Sequence, residues 1–130
     1  MSEWEDNTDK CIEACIGRRI VSIALVNDVL TLDFECGSSL VLEDKGQSCC
    51  EHRHMSTDDD INYYSGSTLL AIRLEDGPEA VDDGYIEVHE QQFLHVQTSK
   101  GFITVVNHNE HNGYYGGFCI RASVAGKPVL

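Results

Sequence analysis

Two stretches of this chain gather side chains that do chemistry. One is Cys49-Cys50-Glu51-His52-Arg53-His54; the other is Asn107-His108-Asn109-Glu110-His111-Asn112-Gly113-Tyr114-Tyr115. A shorter third one is Thr98-Ser99-Lys100-Gly101. Metal binding is the first chemistry to weigh. Cys50, His52 and His54 alternate, so an extended backbone puts them on one face. His108 and His111 offer ligands from a second segment, and zinc accepts Cys and His in a tetrahedral shell. The spacing matches no standard zinc pattern, and the side chains of adjacent Cys49 and Cys50 diverge. No metal ligand and no cofactor are assigned on this ground. Nucleophilic catalysis is the second. Cys49 or Cys50 beside a histidine makes a Cys–His pair, which works through a thiolate. The acidic surroundings raise a thiol pKa, so buried structural cysteines are the expectation, and binding is favoured over catalysis.

Small-molecule binding is the third. Tyr114 or Tyr115 can stack on a ring, Asn109 or Asn112 can read polar edges, and glycine lets the backbone approach a ligand. Lys100 and Arg53 can neutralise a phosphate, with amides and hydroxyls of the Thr98–Gly101 turn beside them. The residues assigned to this ligand site are Glu51, His52, Arg53, Lys100, His108, Asn109, His111, Asn112, Tyr114 and Tyr115.

Composition bounds the partners. The 130 residues carry 9 Lys and Arg against 22 Asp and Glu, a net charge of -13. Phosphate backbones and anionic membranes need clustered Lys and Arg, so neither nucleic acid nor a membrane is an expected partner. No apolar run approaches the ~20 residues of a membrane span. The N-terminus is acidic with no apolar stretch behind it, unlike a signal peptide, so a cytoplasmic location is expected. The six cysteines include no CxxC pair, and reduced thiols are the default in that compartment. An acidic surface also fits a second class of function, the inhibitory interaction protein that imitates DNA.

The elements that must position these residues follow from periodicity. Residues 1–7 read as a flexible acidic N-terminus, 8–125 as one domain and 126–130 as a tail. Cys11, Ile12, Cys15 and Ile16 make a helical stripe over Thr8–Ile16, stopped by Gly17. Period-two alternation predicts strands over 20–26, 29–35 and 39–43, with a turn at Asn27-Asp28. Asp44–Thr57 reads as a loop. Ser56-Thr57 followed by three acids reads as the start of a short helix closed by Gly66. A strand over 68–74, an acidic loop over 75–84, and a long strand over 85–98 bent near Glu90 come next. A hairpin at Ser99–Gly101, a strand over 102–107, a loop from His108 and a last strand over 118–123 complete the chain. The expected fold is α+β: one mainly antiparallel sheet of about six to seven strands with two short helices.

Five motifs in order carry a resemblance. Gly46-Gln47-Ser48-Cys49-Cys50-Glu51-His52-Arg53-His54-Met55, Thr57-Asp58-Asp59-Asp60, His89-Glu90 with Phe93-Leu94, Thr98-Ser99-Lys100-Gly101 and His108 through Phe118 resemble a small uncharacterised domain family of bacteriophage and prophage genomes. The resemblance spans about residues 16–123 and brings no activity with it. A phage setting implies a compact, homo-oligomeric, non-catalytic protein that sequesters a nucleotide-derived defence signal. That is the leading expectation. The acidic interaction inhibitor stands second, and a zinc protein or Cys/His enzyme third.

Overall fold

The computed structural model describes residues 8–46, 51–77, 80–82, 87–111 and 117–126. The chain opens with helix α1 (Thr8–Cys15) and continues through β1 (Ile20–Val26), β2 (Val29–Phe34), β3 (Ser38–Asp44) and β4 (Glu51–Ser56). A single 3-10 turn (Ile61–Tyr64) precedes β5 (Leu69–Asp76), β6 (Ala80–Asp82), β7 (Glu87–Thr98), β8 (Gly101–His111) and β9 (Ile120–Gly126). The strands form two antiparallel sheets rather than one. The four-stranded sheet runs β1-β2-β3-β9, and the five-stranded sheet runs β4-β8-β7-β5 with β6 also on β7. The expectation of a single α+β sheet of six to seven strands with two helices is therefore corrected. The described residues hold nine strands in two sheets, one helix and one 3-10 turn.

Both sheets contribute to one apolar core. Ile20, Leu30, Leu32, Leu40, Leu42 and Ile120 come from the first sheet; Leu69, Leu94, Val96, Ile103 and Val105 come from the second. Alternate residues of β2, β3, β7 and β8 point inward, as the pleat requires, whereas the buried residues of β1 and β5 stand three apart across a register shift. Helix α1 adds Ile12 and Cys15 to the core, and Thr8 Oγ1 accepts a hydrogen bond from the Ala122 amide of β9. The sheets are joined at one corner. There Arg19 bridges Thr68, the Gly17 amide donates to the Leu69 carbonyl, and the Ile20 amide donates to the Ser67 carbonyl. Register shifts in β1 and β5 fall at this corner, where a bulge lets a strand change direction.

The β1–β2 turn is the one the residues predict. Asn27 and Asp28 both have positive φ, 53° and 64°, the combination that a type I′ turn needs and that Asn and Asp tolerate. The second expected helix fails for a tertiary reason. Thr57 and Asp59 do not serve a helix start: Thr57 Oγ1 donates to the Thr104 carbonyl and Asp59 accepts the Thr104 amide. They fasten this segment to β8, and only one 3-10 turn follows. The bend or bulge expected near Glu90 brings no bulge into the β7–β8 ladder, which runs from Val88 to Thr98 without a register shift. No helix among the described residues is long and apolar enough to cross a membrane.

Candidate functional site

The two chemistry-bearing segments are neighbours in space because both are strands. The segment expected to be a loop contains β4, and the expected loop after Asn107 continues β8 to His111. Their pairing sets His52 opposite Glu110, Arg53 opposite Asn109 and His54 opposite His108. Strand β7 then sets His89 opposite Glu110 and Gln91 opposite His108. Side chains alternate, so the paired set divides between the two faces of the sheet.

The outer face carries the histidines. His54 and His108 stack with ring centroids 4.3 Å apart and planes 7° from parallel. His52 lies 4.8 Å from His54 and His89 lies 5.1 Å from His108. A ring nitrogen of His54 is 3.0 Å from the Glu110 carboxylate. His108 is bracketed by Ser56 Oγ at 2.8 Å and His89 Nε2 at 2.9 Å. Burial lowers the pKa of His108, and the neighbouring His54 and His89 lower it further. Glu110 is lowered chiefly by its hydrogen bond with His54.

The inner face carries a polar layer. Arg53 and Asp44 form an ion pair at 2.9 Å with side chains only 8% and 4% exposed. Asp44 also accepts from Asn107 Nδ2 at 2.8 Å, the Cys119 amide at 3.2 Å and the Gly46 amide at 2.8 Å. Asn109 donates to the Gly117 carbonyl at 3.0 Å. A Cβ at Gly46 would sit 2.8 Å from the Arg53 guanidinium, so glycine at this position leaves the guanidinium its room. Gln92 is fully buried beside Asn107, and neither atom of its amide finds a hydrogen-bond partner among the described residues.

Of the residues assigned from sequence, His52 and His108 share the outer face, whereas Arg53 and Asn109 point inward. Lys100 is not with them. It occupies the β7–β8 turn at the opposite end of the 11-residue β8, and at about 3.3 Å per residue that is a separation of some 30 Å. Its ammonium donates to the carbonyls of Tyr63 and Ser65 and lies over the Tyr63 ring. Arg53 and Lys100 thus do not converge on one phosphate. Asn112, Tyr114 and Tyr115, like Cys49 and Cys50, lie outside the described residues. For Glu51 and His111 only the strand backbone is described.

The same outer face holds a second feature that sequence reading missed. Nearer the β7–β8 turn, an open depression of about 520 Å³ is lined by Arg73, Leu74, Glu75, His95, Phe102 and Thr104. Phe102 is 53% exposed. His95 bridges the strands, with one ring nitrogen 2.8 Å from Glu75 and the other 3.3 Å from Thr104 Oγ1. The Glu75 carboxylate is thereby engaged, while the Arg73 side chain has no partner among the described residues. The available signal was alternation: His89, Gln91, Phe93 and His95 are two apart on one strand.

A third cluster lies on the first sheet's side. The Cys36 thiol is 2.7 Å from the Arg18 guanidinium and 3.0 Å from Ser38 Oγ. The Ser38 hydrogen bonds, with Arg18 beside them, lower its pKa from 9.0 to about 7. Several acids have structural work. Asp33 takes hydroxyls of Ser22 and Ser39, and Asp28 takes the Met55 amide.

Residues 13–120 match the family described as Domain of unknown function (DUF7448), and the chain belongs to that family. No curated protein and no solved structure matches the chain.

Proposed function

We propose that this protein is a non-catalytic binding protein that captures a small ligand on the outer face of its five-stranded sheet. The ligand class is one with a flat heteroaromatic ring and an anionic group, as in nucleotide-derived signals. The observation that carries this reading is the depression beside β7 and β8, where an exposed aromatic ring and an uncommitted guanidinium stand together. Phe102 supplies a stacking face, which is worth about 1–3 kcal/mol per base in comparable settings. Arg73 supplies a planar fork for a phosphate. His95 and Thr104 offer polar edges. The depression is of ordinary ligand-pocket size, yet it stays open to water, which suits capture better than chemistry that must exclude water. The resemblance to phage-borne chains makes nucleotide signals of host defence the first class to test. The site expected around Arg53 and Lys100 moves accordingly, since both of those cations are engaged elsewhere.

Calorimetric titration with nucleoside monophosphates, ADP-ribose and cyclic dinucleotides tests this. At least one should bind, and Phe102→Ala and Arg73→Gln should each weaken it by about tenfold. His89→Ala, on the same face but outside the depression, should leave it unchanged. Absence of binding across the panel, or full binding by both variants, defeats the reading.

A further inference from the structure

We propose that His52, His54 and Glu110 form a site for a divalent transition metal, Zn²⁺ in the first instance. This site lies at the other end of the sheet face and does not depend on the depression beside Phe102. Three observations support it. One ligand atom from each residue lies within 4.8 Å of the other two, and His54 Nε2 and Glu110 Oε2 are already 3.0 Å apart. Donors held about 2.0–2.1 Å from a tetrahedral zinc stand some 3.3–3.5 Å from one another. The pair therefore needs to open only slightly, and the exposed His52 to swing toward it. The donors also stand on paired strands rather than loops, with His52 opposite Glu110 and His54 opposite His108. Ligands on regular elements hold their geometry better than ligands on loops.

The third observation is the support behind His54. His108 stacks on it almost parallel, and the nitrogens of His108 are taken by Ser56 and His89. That network fixes the His54 ring without occupying the metal-facing nitrogen. A His54–Glu110 hydrogen bond alone would leave His52 without a role beside them. A cation gives all three donors one shared partner. Two imidazoles and one carboxylate form a borderline donor set that suits Zn²⁺ and Co²⁺ and leaves a position for water or a ligand atom.

The test uses the full chain, freed of metal by chelation, and Co²⁺ as an optical probe followed by Zn²⁺ competition. The expected result is one equivalent of Co²⁺, visible d–d absorption without thiolate-to-metal charge transfer, and displacement by Zn²⁺. His52→Asn and Glu110→Gln should weaken Zn²⁺ binding by about 10–100-fold or more, the cost of disturbing a metal's supporting groups being a lower guide. His95→Asn should bind as the parent does. Both test positions are exposed, and an unchanged metal-free thermal midpoint checks the fold. Parent-like binding by His52→Asn and Glu110→Gln overturns the proposal. So does strong charge-transfer absorption, which assigns the metal to cysteine, and so does the absence of binding at micromolar metal.

Discussion

At the residue scale, two side chains have been given chemistry by their neighbours rather than by their type. His108 sits half-buried among His54 and His89, and burial first, then those two rings, hold its pKa below 6.5. The unfolded chain therefore takes up a proton at a higher pH than the fold does. The stability linked to His108 is complete above 6.5 and falls as pH drops from there toward the depressed value. Urea midpoints from pH 5 to 8 should show this slope, and His108→Gln should flatten it; an unchanged slope contradicts the burial argument. Cys36 runs the other way. Its thiolate is favoured by Ser38 and Arg18, and its pKa falls to about 7. Stability linked to it grows as pH rises from that value toward 9.0. Alkylation by iodoacetamide should reach half its maximal rate near pH 7 at Cys36, and Arg18→Gln should move that midpoint upward. The buried Cys15, whose pKa is raised by desolvation, should lag far behind.

At the element scale, legibility tracked the polarity of the inward-facing positions. β2 and β3 bury Leu, Phe and Ser on alternate positions, so their period of two is plain in the sequence, as is the Asn27-Asp28 turn; β1 is apolar on both faces, and its buried Ile20 and Ile23 stand three apart across a register shift. β4 and the far half of β8 bury Arg53, Asn107 and Asn109 instead. With polar residues on both faces, alternation is lost, so β4 and the last residues of β8, from His108 on, read as loop. The stretches that form the His-rich face stand out in the sequence all the same, because their unusual residue types do not depend on the secondary structure. The opposite error came from Thr57 and Asp59, whose cap-like pattern serves β8. Side-chain spacing alone does not reveal a distant acceptor. The β1–β2 turn gives a test at this scale. Asn27→Val should cost about 1–2 kcal/mol in chemical denaturation, because a β-branched residue resists positive φ, whereas Asn27→Gly should be tolerated. Equal costs for the two would show that φ is not the constraint. Asp28 also accepts the Met55 amide, tying this hairpin to the first strand of the other sheet.

At the scale of the whole molecule, the interior holds one apolar core shared by the two sheets and a polar layer organised around Asp44. That carboxylate collects Arg53, Asn107 and two backbone amides from separate elements. Removing one partner of such a pair leaves a buried charge, so Arg53→Met should cost about 3–5 kcal/mol. The double variant Asp44→Asn/Arg53→Met should cost less than the sum of the singles in a denaturation cycle. Additive losses would mean the pair contributes no coupling. Outside, the five-stranded sheet presents a polar, aromatic face with His54–Glu110 and His95–Glu75 paired on it, and this is the face proposed to bind. The most direct measurement is an amide ¹H–¹⁵N NMR titration of the labelled full chain with the nucleotide panel named above. The expected result is shifts concentrated at Arg73, His95, Phe102 and Thr104, saturating with one ligand. Shifts confined to β1, β2, β3 and β9, or no shifts for any ligand at millimolar concentration, would contradict it.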